Sequence, residues 1–125
     1  MNFPENLKYT ESHEWVKIDG DVVTIGITEY AQGELGDVVF VDIPEARAVS
    51  AGETFGSIEA VKTVSDLIAP IAGTITEING ELEGSPETVN SDPYGAGWMV
   101  KMNIEDASEL DGLMDVEKYK ELIGK

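Results

Sequence analysis

Alternation of apolar and polar residues marks several short strands along the chain. Val22-Val23-Thr24-Ile25-Gly26-Ile27-Thr28 places Val23, Ile25 and Ile27 on one face, after a turn at Asp19-Gly20-Asp21. Trp98 to Ile104 alternates in the same way, which predicts Trp98, Val100, Met102 and Ile104 inward and Lys101 outward. Asp37 to Ile43 is instead a near-continuous apolar run ended by Pro44, and predicts a strand buried on both sides. A further strand opens at Gly73-Thr74-Ile75-Thr76-Glu77-Ile78. Gly20-Asp21-Val22-Val23 is echoed by Gly36-Asp37-Val38-Val39, but such echoes are too short to mark a repeat architecture.

Helical spacing is confined to the margins. Thr28 as a cap and Gly36 as a terminator bracket a short helix containing Tyr30, Ala31 and Leu35. Ser85 followed by Pro86 predicts a helical turn running to Asn90, with the serine as cap and the proline at the first helical position. After Asp106 the period changes, with Leu110, Leu113 and Met114, then Tyr119, Leu122 and Ile123, at helical intervals. Asp106 with Glu109 forms a capping pair there, Asp115 starts a second segment and Gly124 ends it. Seven or eight short strands with helices at the edges predict a mainly β fold, a small sandwich or barrel.

The 125 residues suit one domain, 1–125, with a β core over about 20–104 and a helical segment over about 106–124. Twenty-five acidic residues against eight basic ones give a net charge of −17, which provides no electrostatic footprint for nucleic acid or an anionic membrane. Cysteine is absent, so disulfides, thiol nucleophiles and thiolate metal sites are excluded. His13 is the only histidine, so neither a triad nor a metal cluster can form around it, and a structural or interface role is expected. The N-terminus has neither the basic start nor the apolar segment of a signal peptide, and no stretch is long enough to span a membrane. A soluble, internal, monomeric protein is the expectation. Trp15 and Trp98 read as core or rim anchors, and Gly26, Gly36, Gly73 and Gly97 as turns and close strand approaches.

One lysine stands apart. Lys62 is the only basic residue between Arg47 and Lys101, with Glu53, Glu59, Asp66 and Glu77 nearby in sequence. It falls between Phe55–Val61 and Val64–Ala69, which read as the arms of a hairpin with Lys62 and Thr63 at its tip. That tip lacks the Gly or Asn of the commonest hairpins, leaving a type I turn as the open route. An exposed lysine at a turn can serve solubility alone. The sharper reading is an amine set out for covalent modification.

Tyr9, His13-Glu14-Trp15-Val16, Gly26-Ile27-Thr28, Ala31-Gln32, Leu35-Gly36-Asp37-Val38-Val39, Glu59, Val61-Lys62, Ser65-Asp66, Ala69-Pro70, Asn90 and Gly97-Trp98 form an ordered set over nearly the whole chain. In that set the chain resembles the H proteins of the glycine cleavage system, from about Leu7 to the C-terminal helix. It departs from the family pattern at Ala60, Thr63 and Ala46-Arg47, none of which replaces the amine. The resemblance implies a barrel-sandwich hybrid of the lipoyl/biotinyl carrier type, with a short N-terminal extension and a C-terminal helix. It also implies a covalent lipoate on Lys62 and no catalytic activity of the chain's own.

The implied partners are a lipoate-attaching enzyme, the pyridoxal phosphate-dependent glycine decarboxylase (P protein), the tetrahydrofolate-dependent aminomethyltransferase (T protein) and dihydrolipoamide dehydrogenase (L protein). In the family the arm receives the aminomethyl group of glycine from the first of these last three, presents it to the second and is reoxidised by the third, in the cytoplasm or the mitochondrial matrix. The acidic surface would guide those encounters and weaken with salt. Glu14 and Asp66 are candidates for holding the cationic amine of a loaded arm, although a solvated carboxylate is the plainer account of each. Three rivals stand beside the carrier reading: a biotin carrier, which usually flanks its lysine with methionines where this chain has Val61 and Thr63, a 2-oxoacid dehydrogenase lipoyl domain, and an unmodified acidic interaction protein.

Overall fold

The strands divide between two antiparallel sheets that enclose the main core. The computed structural model describes residues 3–124. In chain order the elements are β1 (Lys8–Tyr9), β2 (Glu14–Asp19), β3 (Val22–Ile27), α1 (Glu29–Leu35), β4 (Val38–Asp42), β5 (Ala48–Val49), β6 (Thr54–Ala60), β7 (Val64–Ile68), β8 (Gly73–Ile78), α2 (Glu81–Gly84), α3 (Thr88–Ser91) and β9 (Val100–Ile104). A 3-10 helix, Ala107–Gly112, and α4 (Val116–Ile123) complete the chain. The larger sheet runs β1-β2-β3-β9-β8-β5 and the smaller β4-β6-β7, an open sandwich that bears out the mainly β expectation.

The alternation of β3 works as the sequence predicts, with Val23, Ile25 and Ile27 buried. They meet Ile58 and Leu67 of the smaller sheet and Ile75, Val100 and Met102 of the larger in one apolar cluster. Each such side chain contributes roughly 1.5–3 kcal/mol when fully buried, so the two sheets are held face to face by the core. A second cluster joins the chain ends: Leu7, Tyr9 and Trp15 pack with Val116 and Tyr119, and the rings of Tyr9 and Tyr119 stack at 4.8 Å. Tyr9 and Met114 exchange both backbone hydrogen bonds, which pins the tail to β1.

Several expectations need correction. The apolar run at β4 is not buried on both sides: Val39 is 49% and Phe40 50% exposed, because β4 is an edge strand with a bulge between Val38 and Phe40. Trp98 is not part of the alternation of β9. It precedes the strand, where the Asn79 amide donates to the carbonyls of Ala96 and Trp98, and it packs half-buried in the second cluster under the Lys101 ammonium. Met99, passed over in the sequence reading, is fully buried instead, while Ile104 is only half-buried. Ser85 serves its helical turn through its carbonyl, which accepts from Thr88 N–H, and not through its hydroxyl.

In the tail Asp106 and Asp115 cap with their carboxylates and Gly124 ends α4 in the left-handed region, as expected, but Glu109 does not complete a pair with Asp106, its Oε2 accepting instead from Ala72 N–H. Between those caps the first segment is a 3-10 helix, and Met114 is extended against β1. The N-terminal segment supplies β1 and β2, and β2 pairs with β3 from Glu14 to Asp19.

Trp15 lies directly opposite Gly26 in the β2–β3 pair, and a Cβ on Gly26 would come within 2.7 Å of the indole. Glycine is required there because the ring occupies the space of a side chain. Gly26→Ala is expected to destabilise the protein by about 1–3 kcal/mol, the usual cost of overpacking. Urea unfolding should show a lower midpoint with an unchanged slope.

Candidate functional site

The β6–β7 hairpin forms as the sequence predicts, with Ser57 opposite Asp66, Ile58 opposite Ser65 and Glu59 opposite Val64. Ala60 N–H donates to the Thr63 carbonyl at 2.8 Å, so the two residues at the end are Val61 and Lys62, one position earlier than the expected tip. Val61 N–H is drawn aside to the Asp37 carbonyl at 2.9 Å, which braces the tip on the corner between α1 and β4. Lys62 is exposed, and among the described residues it makes no ion pair or hydrogen bond. Its methylene stem lies across Gly36: a Cβ built there would stand 3.4 Å from Lys62 Cδ and Cε.

A groove of about 290 Å3 begins beside this tip. Thr63, Ser65 and Asp66 form its hairpin wall, Tyr30 and Glu34 of α1 the opposite one, and His13 and Glu14 line it as well. Asp66 is exposed, opposite Ser57, which in turn faces Asp42 across the small sheet. Glu14 is different in kind. It is only 2% exposed, which removes the solvated-surface account for this residue.

Both oxygens of Glu14 are engaged. Oε1 accepts from the Thr10 hydroxyl at 2.9 Å and Oε2 from Ile68 N–H at 3.2 Å, while Glu14 N–H donates back to Thr10 Oγ1 at 3.1 Å. Desolvation pushes its pKa up to about 7, against the lowering effect of those two hydrogen bonds. A buried carboxyl group whose pKa is pushed up to about 7 therefore lines a groove that begins beside the hairpin tip.

His13, next to it, holds a backbone φ of 66°, unusual for a residue with a side chain. Three contacts keep it there: its N–H donates to the Thr10 carbonyl, its carbonyl accepts from Thr28 N–H, and its Nδ1 meets Tyr119 Oη at 2.9 Å. Burial lowers its pKa, against the pull of Glu34, so the neutral ring is favoured. Tyr119 also meets Thr28 Oγ1 at 2.8 Å, and that hydroxyl caps α1 by accepting from Ala31 N–H. The C-terminal helix thus helps to shape the groove, and His13 has the structural role expected of it.

The family model for the glycine cleavage H-protein matches residues 7–125. The chain belongs to that family. It is 59% identical to the glycine cleavage system H protein of Staphylococcus carnosus over 126 residues, covering all of both chains. It is 56% identical to that of Bacteroides fragilis over 124 residues, 98% of each. The crystal structure of a glycine cleavage system H protein from Mycobacterium marinum matches with a TM-score of 0.86 at 41% identity, over 98% of this chain and all of that one. As an H-protein family member the chain is a carrier subunit of the glycine cleavage system, a lipoyl carrier and not a catalyst. Among its described residues no helix is long and apolar enough to cross a membrane.

Sequence reasoning named Lys62, Glu14 and Asp66, and the structure places the two acids on one groove that starts beside the lysine. It assigned no role at the site to Thr10, Asn90 or Tyr119, and the contacts of the last two reach partners distant in sequence. Only the four-residue interval from Thr10 to Glu14 is short enough to suggest a turn closed by a side chain.

The Glu14 pKa has a thermodynamic consequence. It is raised on folding from about 4.5 to about 7, so the native state binds the proton more tightly and Glu14 withdraws stability as pH rises through that interval. Glu14→Gln is accordingly expected to gain stability over the unsubstituted protein by about 2 kcal/mol between pH 5 and pH 8. Urea unfolding of both proteins at the two pH values measures the difference.

Proposed function

We propose that Lys62 receives lipoate in amide linkage, and that the chain acts as a single lipoyl-carrier domain serving glycine decarboxylase, aminomethyltransferase and dihydrolipoamide dehydrogenase in turn. One observation carries this reading: an exposed, unpaired amine stands at the end of a hairpin braced on a sandwich, beside a groove whose wall begins at Thr63. Lipoate in amide linkage supplies the cyclic disulfide that accepts the aminomethyl group of glycine and is reduced in doing so. The residues at the tip fit such a group, since Lys62 is exposed and, among the described residues, unpaired.

The chain's own contribution is placement. The sheets hold the base of the arm still, while three rotatable partners can approach the same exposed tip in sequence. A cationic amine brought into the groove would meet Glu14 and Asp66. Each Glu14 oxygen has a lone pair beyond the one already engaged, and a neighbouring cation favours the ionised carboxylate. The resulting charge-assisted hydrogen bond would hold the amine protonated and away from water. In this reading the setting is the cytoplasm, supported by the bacterial origin of the relatives.

Incubation with a lipoate-attaching enzyme should add one lipoyl increment to the peptide that contains Lys62, and none to Lys62→Arg. Unfolding of that variant should stay within about 0.5 kcal/mol, as for a surface substitution. A lipoyl group on another lysine, or a biotin increment, would overturn the assignment. With the aminomethyl-loaded carrier, Glu14→Gln should release the amine about ten- to a hundredfold faster, which is what one lost charge-assisted hydrogen bond allows. Equal lifetimes would remove Glu14 from the role.

A further inference from the structure

Asn90 commits its whole amide to the corner on which the hairpin tip rests. Its Nδ2 donates to Gln32 Oε1 at 2.8 Å and to the Gly36 carbonyl at 2.9 Å, and its Oδ1 accepts from Val38 N–H at 2.8 Å. Those partners lie in the last turn of α1, at its terminating glycine and at the first residue of β4, so one side chain from α3 clamps both sides of Asp37. The Asp37 carbonyl is the group that accepts from Val61 N–H. Gly36 is the residue beneath the Lys62 stem, and its φ of 84° with ψ of −158° is open only to glycine. Two routes therefore run from Asn90 to the lysine, one through the backbone of the tip and one through the surface under its side chain.

We propose that Asn90 is a positioning residue for the acylation of Lys62, fixing through the Gly36-Asp37-Val38 corner where the amine stands when an attaching enzyme closes over the tip. The inference rests on Lys62 being the modified residue. The reaction it serves is amide formation with an activated acyl donor made from lipoate and ATP. Nζ, having lost a proton to a base of the attaching enzyme, attacks the acyl carbon of the lipoyl adenylate. The C–N bond forms, the C–O bond to AMP breaks and AMP leaves, while the amine gives up a second proton to become the amide. No electrons change hands. Such an attack is sensitive to displacements of about 1 Å, and a tip that wanders would lower the rate after binding more than the binding itself.

Asn79 provides the control. It clamps a loop in the same manner, with Nδ2 donating to Ala96 and Trp98 carbonyls and Oδ1 accepting from Glu81 N–H, but among the described residues none of these partners is hydrogen-bonded to the hairpin. The full chain, unsubstituted and as Asn90→Ala, Asn90→Asp and Asn79→Ala, is given to a purified lipoate ligase with lipoate and ATP, and kcat and KM for the carrier are measured. Hydrogen exchange at Val61 N–H is followed in the same proteins.

Asn90→Ala is expected to lower kcat by about tenfold with KM changed by less than about threefold, and to speed Val61 exchange relative to global unfolding. Asn90→Asp keeps the acceptor for Val38 and loses both donors, so it should lie between, and it carries the test if the alanine variant does not fold. Asn79→Ala should leave kcat within about twofold despite a comparable loss of stability. The inference is overturned if Asn79→Ala slows the ligase as much as the Asn90 variants, or if Val61 exchange follows global stability alone. An unsubstituted protein that takes no lipoyl group on Lys62 overturns the carrier assignment itself. Normal modification of every variant overturns only the role of Asn90.

Discussion

The register of the β6–β7 hairpin, with Glu59 opposite Val64, is the constraint on which the site depends. It sends Ile58 and Leu67 into the core and leaves Val61 and Lys62 at the turn. A slip by one residue would reverse those faces and expose the apolar pair, so the burial that holds the sandwich together also fixes the position of the lysine. The bond from Val61 N–H to the Asp37 carbonyl then ties the tip to the residue that leads into β4, the edge strand on the other side of β6. Core packing sets the address of the amine, and a few polar contacts set its posture.

Glu14 shows the opposite balance. A carboxylate so deeply buried opposes folding at neutral pH, and the protein tolerates it because both oxygens have donors from separate parts of the chain. Those donors come from Thr10 before β2 and from Ile68 at the far end of the hairpin, so the acid also bridges the two sheets. Retaining a costly group in the groove that begins beside the tip fits the proposed meeting with a cation, whereas a hydrophobic replacement would pack there more easily.

Much of this was legible in the sequence where local chemistry decides the outcome. Both caps of α1, the carboxylate caps of the tail and the inward face of β3 follow from short-range spacing. β2 was not legible, because Glu14, Trp15 and Val16 are all buried and Lys17, Ile18 and Asp19 all exposed, a block pattern without the period of a strand. β4 misled for another reason: an apolar run reads the same whether it is covered on both faces or shown on one. The groove's supporting contacts join residues such as Asn90 with Val38 and Tyr119 with His13, 52 and 106 positions apart, and no local pattern encodes them.

The uncovered valines and Phe40 around the tip have a colloidal consequence. Val61 is 72%, Val64 61%, Phe40 50% and Val39 49% exposed, and uncovered apolar side chains favour clustering of identical molecules. The bulge spoils the edge of β4 as a template for another strand, and an excess of seventeen negative charges makes two copies repel. Broken edge and like charge thus both oppose self-association at this face.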